Sequence, residues 1–170
     1  MNIDDDESDT STEIGSDELL SDDNLRLPES ANVLVRLHAV RAWLARRYDE
    51  TSIEVGEAAL ELQLAMSPEL QEARPRRRER QGQSDRVLRA QQTLLEAQER
   101  LQAYGEAQAL LEDCVAHTNG ERVLVEYYLS LEELVQNSMQ GDQAHHLPRL
   151  SALADVQQRI ERVGAPNEEE

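Results

Sequence analysis

Seven arginines fall between positions 74 and 89, namely Arg74, Arg76, Arg77, Arg78, Arg80, Arg86 and Arg89, against only Glu79 and Asp85. A guanidinium holds phosphate or carboxylate through paired N–H donors. A local +5 on a chain of net charge −18 is therefore the feature best suited to an anion or to nucleic acid. No aromatic residue is interleaved, so bases would have nothing to stack on. The segment is read first as a solvated loop, screened by the acidic tail of its own or a neighbouring chain. The second reading is a phosphate-gripping tip, and the third a contact for an acidic protein.

Cys114 and His117 are three residues apart and would share a helix face, the proximity that a thiolate–imidazole nucleophile needs. The simpler reading is a small buried cysteine near a helix end, beside a histidine that caps it. His145 and His146 follow Asp142 and could join Cys114 and His117 in a four-ligand zinc set, but adjacent histidines with a lone cysteine match no usual closed-site spacing. Glycine-rich phosphate loops, a nucleophile elbow and the zinc-protease helix motif are absent. The many carboxylates sit at helix-face spacing with nothing to enclose them, and general acid–base work needs an enclosed, perturbed carboxyl. The sequence thus leads us to expect no catalytic residue, no cofactor and no metal, and a protein that is not an enzyme.

The elements that would carry these residues follow from composition. The chain has no Phe, one Trp and four Tyr among 170 residues, so any core must be built from Leu, Val and Ala, the composition of helix-on-helix packing. All 17 basic residues are Arg, most simply the mark of a GC-rich genome, with salt adaptation the weaker account of the acidity. One cysteine permits no intrachain disulfide, no secretory signal opens the sequence, and no apolar window is long enough to span a membrane. Cytoplasmic residence is the default expectation.

Ten of the 35 acidic side chains lie in residues 1–25, which hold no basic one, so that segment carries −10 of the −18. Residues 1–26 are expected to form a disordered acidic tail, with Leu19 and Leu20 either part of it or a short docking motif. Residues 27–163 should form one helical domain, followed by a second acidic tail at 164–170. A long helix is predicted over about 29–66, starting near Pro28 or Ser30. Its stripe runs Val33, Leu37, Val40, Leu44, Tyr48, Val55, Ala59, Leu62 and Met66, with an extra step of four near Tyr48. Within it, Ala31–Tyr48 is a basic amphipathic stretch bearing Trp43. Its arginines flank the apolar stripe, which favours packing inside the protein over a membrane surface.

A basic loop over 67–84 holds Pro68, Pro75 and Gly82. The second long helix is predicted over about 85–117, along Val87, Gln91, Leu94, Gln98, Leu101, Tyr104, Gln108, Leu111 and Val115. Shorter helices follow over about 121–139 and 147–163. The stretch 122–129 also suits a strand, but Leu124, Tyr128, Leu131, Val135 and Met139 favour helix. The last stripe is Leu150, Leu153, Val156 and Ile160.

The first helix is cationic early (Arg36, Arg41, Arg46, Arg47) and acidic late (Glu50, Glu54, Glu57, Glu61). The second begins with Arg86 and Arg89 and turns acidic at Glu106, Glu112 and Asp113. Opposite charges meet if the two are antiparallel, so the expected fold is all-α, a long antiparallel helical hairpin of coiled-coil type with two shorter C-terminal helices. A monomeric hairpin and an antiparallel dimer satisfy this pattern equally. The function expected is a scaffold or adaptor that binds a protein partner or its own copies. Leu94, Leu101, Leu111, Val40 and Leu44 are expected to carry that packing. The alternative is a nucleic-acid-contacting arm working through Arg74 to Arg89.

Overall fold

The computed structural model describes residues 20–23, 25–28, 30–67, 77–120, 122–139 and 147–164. These form four helices: α1 Val33–Met66, α2 Arg77–His117, α3 Arg122–Met139 and α4 Leu147–Gly164. Among the described residues there is no strand, and the protein is all-α. The stretch 122–129 is helical throughout.

The first helix starts later than the Pro28–Ser30 signal suggests. Asn32 is the N-cap, its Oδ1 accepting from the Val35 N–H at 3.0 Å, a contact that typically contributes about 1 kcal/mol. The second helix starts earlier than expected. Residues 77–84, assigned from sequence to the basic loop, are helical, because Arg, Glu and Gln are strong helix formers and Gly82 costs only about 1 kcal/mol. Between α2 and α3 Gly120 takes a φ of 65°, a left-handed conformation that favours glycine, and its carbonyl accepts from the Val123 N–H at 3.3 Å.

One cluster of buried side chains joins all four helices. It draws Leu37, Val40, Trp43 and Leu44 from α1, Ala103 to Cys114 from α2, and the inner faces of α3 and α4. Tyr127 sits at its centre, fully buried, its hydroxyl donating to the Ala107 carbonyl at 3.0 Å. Arg149 ties the start of α4 to both α2 and α3, pairing with Glu106 through both Nη atoms and donating from Nε to Ser138 Oγ at 3.1 Å.

Outside that cluster α1 and α2 bury small residues: Thr51, Ala58 and Ala65 on one, Ala90 and Ala97 on the other. Across the pair, Arg41 reaches Glu112 at 2.7 Å, Tyr48 meets Gly105, and Glu54 accepts from Arg100 at 2.8 Å. Residue numbers rise on α1 as they fall on α2, so these segments run in opposite senses. The buried stripe departs from the sequence expectation. On α1 Leu37, Leu44, Thr51, Ala58 and Ala65 recur every seven residues, and Ala59 and Met66 face outward. On α2 Ala90 and Ala97 are buried where Gln91 and Gln98 were expected, and both glutamines are exposed.

Within the predicted acidic tail 1–26 the described residues lie against the four-helix cluster: Leu20 and Leu25 pack on it, as does Leu27 just beyond, and Ser21 is buried. Residues 1–19 and 165–170 lie outside the described residues. No described helix is long and apolar enough to cross a membrane.

Candidate functional site: an arginine-lined groove around Trp43

The residues singled out from sequence do not converge. Arg74 and Arg76 lie outside the described residues, as do Asp142, His145 and His146. Arg77, Arg78 and Arg80 belong to the first turn of α2, and Arg86 and Arg89 follow on the same helix, both exposed. Cys114 is buried, and burial pushes its thiol pKa up, away from a reactive thiolate. His117 is exposed and turns its Nδ1 to Asp113, 2.9 Å from the carbonyl oxygen. Among the described residues no three His, Cys, Asp or Glu side chains gather as metal ligands.

The residues that do converge surround the only tryptophan. Trp43 on α1 is 3 % exposed. It stands edge-on to Tyr104 of α2, with centroids 6.2 Å apart and planes at 82°. Two guanidinium groups lie over its indole, Arg47 at 5.5 Å and Arg159 of α4 at 5.9 Å, both within cation–π range. Its Nε1–H donates to Asp23 Oδ1 at 2.6 Å, and Arg46 donates to the same oxygen at 2.6 Å. Arg47 lies 3.7 Å from the other carboxylate oxygen.

The main chain at Leu20, Asp22, Asp23 and Pro28 is held by arginines too. Arg159 donates to the carbonyls of Leu20 at 2.7 Å and Asp22 at 2.6 Å, and Arg162 to that of Asp23 at 3.0 Å. Arg36 donates to Pro28 at 3.2 Å and to Val163 at the end of α4. The Asp22 and Pro28 carbonyls also accept from the Leu25 and Ala31 N–H groups, at 3.2 and 2.9 Å, so the guanidinium groups add second donors to turns that backbone bonds already close.

Electrostatics follow from this geometry. Burial opposes the charge on Asp23, but the Trp43 hydrogen bond and the Arg47 and Arg46 guanidinium groups outweigh it and hold its pKa below the ordinary carboxylate value. Burial lowers the pKa of Arg159, and Asp23 and Asp22 work against that shift. Tyr104, whose hydroxyl donates to Asp155 Oδ2 at 3.3 Å, is pushed up to about 12 by burial and by that carboxylate. A cavity of about 130 Å³ remains beside Asp23, between Trp43, Arg47, Asp155, Arg159 and Arg162. A wider, open depression of about 610 Å³ lies on the other side of Ser21, along Arg41, Arg46 and Gln108.

Sequence reasoning placed Trp43 inside the protein and read Arg46 and Arg47 as flanking charge, without foreseeing the groove. The signal was there in part: Leu20, Leu25 and Leu27 are apolar residues in an otherwise acidic stretch, and Arg159 and Arg162 flank the last apolar stripe. No family model, curated protein or solved structure matches the chain.

Proposed function

We propose that the chain is a non-catalytic cytoplasmic scaffold or adaptor. On this reading α1 and α2 form a long antiparallel hairpin of coiled-coil type, which binds a helical protein partner or a second copy along its length. What supports it is a second set of apolar residues, turned outward. Ile53, Leu60 and Leu64 on α1 and Leu88 and Leu95 on α2 are each between 58 and 63 % exposed. Ile53 to Leu60 and Leu88 to Leu95 are both steps of seven, the spacing at which a helix presents one edge to another helix. Leu111, Val40 and Leu44 are buried in the core and cannot serve this role, and Leu94 and Leu101 are half-buried between the long helices.

Two paired variants test the reading: Leu60→Asp with Leu64→Asp, and Leu88→Asp with Leu95→Asp. Helical circular dichroism should be unchanged. Self-association measured by sedimentation, or retention of a partner captured after nuclease treatment, should be lost in at least one pair. Association that survives in both pairs sinks the proposal.

A second reading, phosphate contact by Arg74 to Arg89, is favoured by the exposure of Arg86 and Arg89 on a helix that begins at Arg77. It requires nucleic-acid binding that weakens steeply between low and physiological salt and disappears when Arg76, Arg77 and Arg78 become Ala.

A further inference from the structure

We infer that the groove around Trp43 is a docking site for an acidic, turn-forming peptide supplied by a partner protein, and that residues 20–23 of this chain occupy it as a built-in competitor. The site is separate from the outward stripes of α1 and α2, so its fate does not depend on theirs.

The manner in which residues 20–23 are held is that of a bound peptide. Arg159 and Arg162 grip three main-chain carbonyls, those of Leu20, Asp22 and Asp23. Such contacts accept any backbone that takes the same turn, here closed by the Leu25 N–H donating to the Asp22 carbonyl at 3.2 Å. Selectivity comes from two side chains: Leu20, packed on the apolar cluster, and Asp23, whose carboxylate takes the indole N–H and the Arg46 guanidinium. The pattern recognised is thus a leucine followed three residues later by an aspartate.

The resident segment does not use all that the groove offers. The Nε–H groups of Arg46, Arg47 and Arg159 are buried without an acceptor among the described residues, and a buried donor left unpaired is costly. Arg159 is 2 % exposed, so its guanidinium is fixed in place instead of waving in solvent. The 130 Å³ cavity beside Asp23 is lined by three guanidinium groups, Arg47, Arg159 and Arg162, against two carboxylates, Asp23 and Asp155, so one further carboxylate would balance its charge. A peptide with an additional acidic side chain at this point would sit against the Arg47, Arg159 and Arg162 guanidinium groups. Charge complementarity therefore names the partner's chemistry: acidic, turn-forming and leucine-bearing.

The probe is a fluorescein-labelled synthetic peptide copying residues 17–28, titrated by anisotropy into the full-length chain. Wild-type protein should bind it weakly, because its own segment competes. The Leu20→Ala, Asp23→Asn double variant should bind at least tenfold more tightly. Adding Arg159→Met should abolish that gain, as should a peptide with Asn in place of Asp22 and Asp23. Should the double variant lose its helical signal, Asp23→Asn alone is measured instead, with a threefold or greater gain expected. Three results would overturn the inference: no gain in a folded variant with a loosened segment, a gain indifferent to Arg159, or a variant that dimerises by exchanging residues 20–23 and ignores added peptide.

Discussion

Gly105 faces the ring of Tyr48 across the α1–α2 pair, so closely that a methyl group on Gly105 would lie 3.3 Å from Tyr48 Cε2. The two residues fix how near the helices come at the point where the four-helix cluster gives way to a two-helix stretch. Gly56, by contrast, has nothing within 4 Å of where its Cβ would be. Gly56→Ala should therefore stabilise the protein by about 0.5–1 kcal/mol, the helix-propensity gain alone. Gly105→Ala should gain less, because the Tyr48 ring must shift by a few tenths of an ångström, which its partial exposure permits. Gly105→Leu should destabilise. Thermal melts of the three variants decide the order.

The contrast between two leucines on α2 tests the division between core and outward stripe. Leu111 is fully buried, and Leu111→Ala should cost about 2–5 kcal/mol. Leu95 is 58 % exposed, and Leu95→Ala should change stability by no more than about 0.5 kcal/mol. Urea unfolding followed by circular dichroism measures both.

The alternation of threes and fours located both long helices but not the phase of their seams. On α2 the large residues Val87, Leu94 and Leu101 are common to two alternations, one filled in by Gln91 and Gln98 and the other by Ala90 and Ala97. The structure uses the alanines, because a methyl group can be buried between close helices with no amide to desolvate. On α1 Ala58 and Ala59 are the same residue type, so periodicity alone could not choose between them. The all-α fold and the charge layout were legible because they are properties of whole segments. The Trp43 groove was not, because its parts come from residues 20–23, α1 and α4, which only tertiary packing brings together.

Acid should release residues 20–23 before it unfolds the helices. The pKa of Asp23 is depressed in the folded protein, so the unfolded state binds more protons as the pH falls through the carboxylate range. The stability it lends is present above about pH 4 and is lost as the pH drops towards its folded value. Trp43, bonded directly to Asp23, should report this by a change in emission while the helical signal persists. Asp23→Asn should remove the transition.

Arg41–Glu112 and Arg100–Glu54 are both substantially exposed, and each should contribute only about 0.2–1 kcal/mol. Glu112→Arg should destabilise by about 1 kcal/mol at low salt, less at high salt, and Arg41→Glu in the same chain should restore most of it. Failure of the reversed pair to recover would show that the two charges do not communicate.

The hydrogen bonds from Arg159 to Leu20 and Asp22 join residues 139 and 137 positions apart. On a ribosome adding about 5–20 residues per second, the acidic segment emerges on the order of ten seconds before the arginines that receive it. Throughout that interval it cannot settle, and the indole of Trp43 lacks two of the groups that later cover it. The groove is thus completed only after α4 has been made.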